Sequence, residues 1–131
     1  MMDKENKFKK KILVIEDNEN NFYLIKFLLE ANRYEVVRAH NGLDGIEKAQ
    51  TQKPDLILMD VQLPKLDGYT ATQRIKAIPD LNKIPIIALT SYAMQGDREK
   101  AKAAGCDDYI PKPIDPTEVL KTLQNFLGGE N

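Results

Sequence analysis

Polar side chains that can bind a metal ion or a phosphate group follow short apolar runs at four places in the sequence. They are Glu16 and Asp17 after ILVI, Asp60 after LILM, Thr90 and Ser91 after IIAL, and Lys112 shortly after DYI. Carboxylates hold hard divalent cations, hydroxyl and ammonium groups bind phosphate oxygens, and a carboxylate can act as a nucleophile. This chemistry needs a fold that brings the four places together.

The periodicity of the apolar residues predicts five strand–helix units. Runs of strand length alternate with segments whose apolar residues recur every three or four positions. The predicted strands are Lys11 to Glu16, Tyr34 to Ala39, Leu56 to Asp60, Ile86 to Thr90 and Asp108 to Ile110. Asn41 and Asp115 are predicted N-caps of the second and last helices, and Gly105 is predicted to end the fourth. Strict alternation favours an α/β fold, a doubly wound (βα)5 parallel sheet with helices on both faces.

The composition of each strand indicates its place in the sheet. ILVI, LILM and IIAL are continuously apolar, which is typical of strands buried on both faces, so the first, third and fourth strands are predicted to be central. YEVVRA is mixed and DYIPKP contains two prolines, which suits edge strands. The strand order 2-1-3-4-5 meets both demands and places the switch point between the first and third strands.

In this order the polar strand ends meet at one edge of the sheet. Neighbouring strands lie about 4.8 Å apart, so Asp17 and Asp60 are expected to be neighbours, and the long side chain of Lys112, two strands from Asp60, is expected to reach the site. Unit charges 4 Å apart repel by about 4 kcal/mol at an effective dielectric near 20, which one lysine cannot cancel. Hard oxygen donors without nearby His or Cys suit Mg²⁺. The pattern predicts a magnesium site for phosphoryl transfer, with Asp60 as nucleophile and Thr90 donating to phosphate.

Length and charge exclude several other classes of protein. A chain of 131 residues is expected to form one domain, here residues 11–127, between a polar tail at 1–10 and a short tail at 128–131. A net charge of -1 disfavours nucleic acid and membrane surfaces as partners, and the polar beginning MMDKENKFKKK predicts a cytoplasmic protein. One cysteine and one histidine exclude an internal disulfide and a site built on His or Cys clusters.

Four segments carry a family resemblance over roughly Lys11 to Leu127. ILVIEDNENN, LILMDVQLPKLDG, IIALTSYAM and DDYIPKPI, in this order and spacing, resemble the receiver domain of two-component response regulators. The AMQGDREKA and GCDDYIPKPI segments are most similar to the stand-alone DivK type. The resemblance implies a flavodoxin-like, CheY-like fold and a phospho-acceptor switch rather than an enzyme.

The resemblance also implies roles for individual residues. Asp60 accepts a phosphoryl group from a sensor histidine kinase or a histidine phosphotransfer protein. Asp17, Asp60 and the backbone carbonyl of Gln62 hold Mg²⁺, with Glu16 assisting through water. Thr90, Ser91 and Lys112 bind the phosphoryl group, Tyr109 turns inward behind Thr90, and the face formed by the fourth helix, fifth strand and fifth helix binds a downstream protein. The Lys112-Pro113 peptide bond is expected to be cis.

Other interpretations of the same residues stay open at this point. A Mg²⁺-dependent phosphatase or phosphotransferase of the haloacid dehalogenase type also uses a strand-end Asp, but it needs a second Asp where this chain has Gln62. A flavodoxin-like FMN carrier would meet repulsion from EDNEN, and no P-loop motif occurs. Glu16 and Asp17 could instead cap the first helix, and Thr90 and Ser91 the fourth.

Overall fold

Strands and helices alternate along the chain in the computed structural model, which describes residues 10–63, 66–90 and 95–128, without the side chains of residues 95 and 97. The strands are β1 (Lys10–Ile15), β2 (Tyr34–Ala39), β3 (Leu56–Asp60), β4 (Ile86–Thr90) and β5 (Asp108–Pro111). The helices are α1 (Glu19–Ala31), α2 (Gly42–Gln52), α3 (Gly68–Lys76), α4 (Gln95–Ala104) and α5 (Pro116–Leu127).

The sheet is parallel throughout, and its strand order is β2-β1-β3-β4-β5. This confirms the predicted α/β fold class and the predicted order, with the mixed strands at the edges. In the register, Ile15 lies opposite Met59, Asp60 opposite Leu89, and Thr90 opposite Pro111. The carboxyl ends of β1, β3 and β4 therefore lie side by side.

Each central strand supplies apolar side chains to two separate cores, because successive residues of a strand point to opposite faces. One core joins Ile12, Val14 and Leu58 to α1 and α5. The other core joins Leu13 and Ile15 to α2 and α3. Burial on both faces explains why these strands are continuously apolar. The polar residues therefore begin only where each strand leaves the core, at the carboxyl edge of the sheet.

Short polar side chains begin the helices that follow the strands. Asn18, Asn41, Asp67 and Asp115 each accept a hydrogen bond from a backbone N–H in the first turn of α1, α2, α3 and α5. The predicted caps Asn41 and Asp115 are confirmed. Gly105 follows α4 with φ of 104°, a conformation that favours glycine, so the predicted end of the fourth helix is also confirmed.

The structure departs from the sequence prediction at the ends of two strands. β1 stops at Ile15, although the Glu16 N–H still donates to Ala39 O at 3.0 Å, and β5 extends to Pro111 through its pairing with Thr90. On α5, Val119 and Leu123 enter the core, whereas Phe126 is 37% exposed.

The predicted terminal tails lie largely outside the described residues, and the domain bounds stay a prediction. Across residues 10–63, 66–90 and 95–128, every helix is too short or too polar to span a membrane. The cytoplasmic location likewise stays a prediction.

The central strands should carry most of the stability. Leu58→Ala removes a side chain that is 1% exposed and leaves a cavity, so we expect the free energy of unfolding to fall by about 2–5 kcal/mol. The matched control Leu43→Ala changes a side chain that is 51% exposed on α2 and should cost less than about 0.5 kcal/mol. Urea denaturation followed by circular dichroism measures both, and equal losses would contradict the assignment of the core.

Candidate functional site

Three carboxylates meet where β1 and β3 end. Asp60 is the last residue of β3, and Glu16 and Asp17 directly follow β1. Oxygen atoms of the three side chains all lie within 4.8 Å of one another. Glu16 is fully buried and Asp60 is 3% exposed, whereas Asp17 faces solvent. The structure thus brings together the three acidic residues that the sequence predicts.

Lys112 supplies the positive charge at this cluster. Its Nζ lies 3.2 Å from Asp60 Oδ2 and 3.6 Å from Glu16 Oε1, and its side chain is 18% exposed. The Lys112 N–H donates to Thr90 O at 2.6 Å, which fixes the residue at the end of β5, and the Lys112-Pro113 bond is cis as expected. Among the described residues one ammonium group pairs with this cluster of three carboxylates, so the described part of the site keeps an excess of negative charge.

The backbone around Asp60 is held by the loop that follows it. The Gln62 N–H donates to Asp60 Oδ1 at 3.0 Å, and the Gly68 N–H donates to Val61 O at 3.2 Å. Gly68 packs so closely that a Cβ atom there would overlap the carbonyl oxygen of Asp60. Only glycine therefore lets the first turn of α3 approach the end of β3, a role that the sequence prediction did not assign to the LDG segment.

Glu16 has an unusual protonation equilibrium. Burial, followed by the neighbouring Asp60 carboxyl group, raises the pKa of Glu16 from its ordinary value of 4.5 to about 7, while Lys112 and the Asn18 N–H oppose the rise. Within the described residues, Glu16 Oε1 accepts no hydrogen bond. A buried, under-compensated carboxylate oxygen beside two further carboxylates has the donor chemistry that Mg²⁺ prefers. Glu16, Asp17 and Asp60 therefore fit a hard divalent cation.

The remaining predicted site residues are Thr90, Tyr109 and Ser91. Thr90 is buried one residue beyond the partner of Asp60 in the register, and its hydroxyl has no hydrogen-bond partner among the described residues. Tyr109 is half-buried on β5, and its phenol oxygen accepts hydrogen bonds from Arg98 Nε at 2.8 Å and Nη2 at 2.6 Å. Ser91 lies outside the described residues, so its predicted role stays a prediction.

The capping interpretation of Glu16 and Asp17 is wrong, because Asn18 caps α1. The Asn18 side chain accepts from the Asn21 N–H at 2.8 Å. Instead, the Glu16 side chain accepts from the Asn18 N–H at 3.3 Å. Both acidic side chains are thus available to the cluster.

Comparisons with known proteins agree on one family. The family model for the response regulator receiver domain matches residues 12–124. The polar-differentiation response regulator DivK of Brucella anthropi is 43% identical over 119 residues, which cover 91% of this chain and 97% of that protein.

Two solved structures of receiver domains share the fold. The receiver domain of the sensor histidine kinase PA1611 from Pseudomonas aeruginosa PAO1, crystallised with a magnesium ion coordinated in its active site cleft, is 42% identical. Its TM-score is 0.86, covering 92% of this chain and 98% of that one. The receiver domain of Ssk1 from Saccharomyces cerevisiae, crystallised with the histidine phosphotransfer protein Ypd1, is 29% identical with a TM-score of 0.85, covering 90% and 88%. These relatives do not favour the phosphatase and FMN-carrier interpretations.

The pKa of Glu16 should make stability depend on pH in the metal-free protein. An unfolded chain loses this proton near pH 4.5 and the folded protein near pH 7, so the free energy of unfolding should fall as pH rises through that interval. The decrease is at most about 3–4 kcal/mol, at about 1.4 kcal/mol per pKa unit.

Urea denaturation in EDTA at pH 5 and pH 8 measures this decrease. Glu16→Gln should abolish it, and the control Asp17→Asn, which changes an exposed carboxylate, should retain it. A Glu16→Gln variant with the wild-type decrease would show that another group causes the pH dependence.

Proposed function

The chain belongs to the response regulator receiver domain family of two-component signalling, and from this premise we propose that it is a phosphorylation-controlled switch with Asp60 as the phospho-acceptor. The observation that carries the proposal is the cluster of Glu16, Asp17 and Asp60 with Lys112 at its side. A nucleophilic carboxylate, further carboxylates for a cation and an ammonium group are the components that phosphoryl transfer to an aspartate requires.

In the proposed reaction a carboxylate oxygen of Asp60 attacks the phosphorus atom of a phosphohistidine. An O–P bond forms, the P–N bond breaks, and the imidazole nitrogen keeps the electron pair of that bond and takes up a proton. The donor is a sensor histidine kinase or a histidine phosphotransfer protein, a partner class supported by the Ypd1 complex of the Ssk1 receiver domain. The product is an aspartyl phosphate, whose hydrolysis with water resets the switch.

Mg²⁺ would be held by Asp17, Asp60 and the backbone carbonyl of Gln62, with Glu16 contributing through water. The bound ion supplies positive charge that offsets the charge on the phosphoryl oxygens. The PA1611 receiver domain, with its magnesium ion in the active site cleft, supports this assignment.

Three protein side chains are proposed to bind the phosphoryl group once it is attached. Lys112 Nζ, 3.2 Å from Asp60 Oδ2, is placed to donate to a phosphoryl oxygen. The buried Thr90 hydroxyl, which has no hydrogen-bond partner in the described part of the chain, is available to donate as well. Ser91 is proposed to assist next to Thr90.

The output of the switch is proposed to be binding to a downstream protein rather than turnover of a substrate. The proposed surface is the face of α4, β5 and α5, which contains Tyr109 and a groove of about 630 Å³. The groove is lined by Asp108, Tyr109, Ile110, Pro111, Lys112, Pro113, Asp115 and Glu118. Tyr109 connects this face to the site, because its partner across the β4–β5 pair is Ala88, two residues before Thr90.

Asp60 should be the residue that a small phosphodonor modifies. Incubation with acetyl phosphate and Mg²⁺ should add the mass of one phosphoryl group to the wild-type protein and none to Asp60→Asn, as intact-mass spectrometry measures. The control Asp80→Asn changes a side chain that is 83% exposed, and it should be modified like the wild type. A label mapped to any other residue would reject the assignment, and sustained hydrolysis of phosphate monoesters would favour the enzyme alternative.

Lys112 should act on the phosphorylated state and not on metal binding. Lys112→Met removes a cation that competes with Mg²⁺ for Asp60 and Glu16, so calorimetry should show Mg²⁺ binding at least as tight as in the wild type. The chemical-shift changes that beryllofluoride causes on β5 should shrink. The control is Lys83→Met, an exposed lysine, and weaker Mg²⁺ binding by Lys112→Met alone would contradict this role.

A further inference from the structure

Arg38 contacts the loop between β1 and α1, which carries two of the three acidic residues. Arg38 is the penultimate residue of β2, and its side chain is 13% exposed. Its Nε and Nη2 donate to Glu16 O at 3.2 and 3.1 Å, and its Nη1 donates to Glu19 Oε1 at 2.8 Å. One guanidinium group therefore joins the two ends of the segment from 16 to 19.

The sheet places Arg38 on the side where α1 begins. Tyr34 and Val36 pack against the core that contains α1, and alternation puts Arg38 on the same face of β2. The guanidinium carbon lies 4.3 Å from the centroid of the Phe22 ring. Packing against an aromatic ring and three hydrogen bonds compensate for the burial of the charge, so the side chain has one well-defined position.

Arg38 leaves the acidic side chains of the cluster free. Its contacts with Glu16 go to the backbone carbonyl, whereas the Glu16 carboxylate faces Asp60 and Lys112. Asp17 lies between the two anchored residues. The Asn18 N–H donates to the Glu16 side chain, so the anchored backbone also sets the orientation of that carboxylate.

We infer that Arg38 is a positioning residue that holds Glu16 and Asp17 in the geometry for binding a divalent cation, a role that rests on the proposed function. Three carboxylates within 4.8 Å repel one another, and the short loop from 16 to 19 is the part of the cluster's backbone that can yield to this repulsion. Hydrogen bonds at both ends of the loop oppose that displacement.

An electrostatic role and a positioning role of Arg38 predict opposite effects of its removal on Mg²⁺ affinity. A guanidinium group near an acidic site repels a cation, so removal of a group that acted only by charge would tighten binding. Removal of a group that fixes the ligand geometry weakens binding, typically by tenfold or more for residues that orient metal ligands. The sign of the change in affinity therefore distinguishes the two roles.

The experiment compares two variants with a matched control. Arg38→Met keeps an apolar stem over Phe22 and loses the three hydrogen bonds of the guanidinium group, and Arg38→Lys keeps the charge but cannot form the forked contact to Glu16 O. Lys48→Met removes a cation that donates to Arg38 O at 3.1 Å and pairs with Asp44, without contact to the loop. Calorimetry should give a Mg²⁺ dissociation constant raised roughly tenfold by Arg38→Met, raised less by Arg38→Lys, and not raised by Lys48→Met.

A second measurement needs no metal. Amide exchange by NMR in EDTA should be faster for Glu16 and Asn18 in both Arg38 variants, with α1 beyond its first turn unchanged. Arg38→Lys serves as the folded variant if Arg38→Met lowers global stability. Unchanged or tighter Mg²⁺ binding with unchanged loop exchange would overturn the role of Arg38, whereas a wild-type protein that binds no Mg²⁺ would overturn the proposed function itself.

Discussion

The Glu16, Asp17 and Asp60 carboxylates are held within 4.8 Å of one another, where unit charges repel by several kcal/mol at the effective dielectric of a protein surface. The backbone enforces this proximity. Ile15 and Met59 lie opposite each other in adjacent parallel strands that are buried on both faces, and the acidic residues follow them directly. The cluster cannot separate at Asp60 without breaking the β1–β3 pair, so apolar burial stabilises an arrangement that electrostatics opposes.

The fold compensates for this repulsion only in part. Lys112 contributes one charge, and the N–H groups of Asn18 and Gln62 contribute hydrogen bonds to Glu16 and Asp60. Arg38 directs two of its donors to the carbonyl oxygen of Glu16 and a third to Glu19, outside the cluster. Burial, together with the remaining negative charge of Asp60, raises the pKa of Glu16, and in the proposed function a divalent cation takes the place of the Glu16 proton.

The sequence was sufficient for the strand order and for the acidic cluster, because both follow from local signals. Continuous apolar runs mark central strands, and polar residues directly after them must meet at one edge of a parallel sheet. The position of Arg38 beside the acidic loop could not be predicted from the sequence, because it depends on a tertiary contact with the backbone oxygen of Glu16. Alternation along β2 places Arg38 on the same face as Tyr34 and Val36, but only the path of the loop after β1 brings Glu16 O within reach of its side chain. Gly68 is similar, since a glycine after an aspartate is typical of many turns, and its close contact with Asp60 depends on the packing of α3.

Tyr109 lies on β5, between the acidic site and the proposed output face of α4, β5 and α5. The resemblance to receiver domains implies that this side chain turns inward on phosphorylation. In the structure its phenol oxygen accepts two hydrogen bonds from Arg98 of α4, and the guanidinium carbon lies 5.1 Å from the ring centroid. Hydrogen bonds to charged groups contribute about 1.5–3 kcal/mol each, and less at an exposed position such as this one. An inward turn of Tyr109 would break both and release Arg98.

The free energy needed to break these two hydrogen bonds favours one orientation of Tyr109 in the unphosphorylated protein. The contact between Tyr109 and Arg98 stabilises the side-chain orientation that the structure shows, so another orientation of Tyr109 is populated only when a further interaction favours it by a comparable free energy. In the proposed switch Thr90 supplies this interaction, because its buried hydroxyl lacks a partner among the described residues and its carbonyl oxygen accepts a hydrogen bond from the Lys112 N–H at the end of the β4–β5 pair. A phosphoryl group on Asp60 that accepts hydrogen bonds from Thr90 and Lys112 would contact both residues of this backbone hydrogen bond. The position of Arg98 on α4 would then depend on whether Asp60 is phosphorylated.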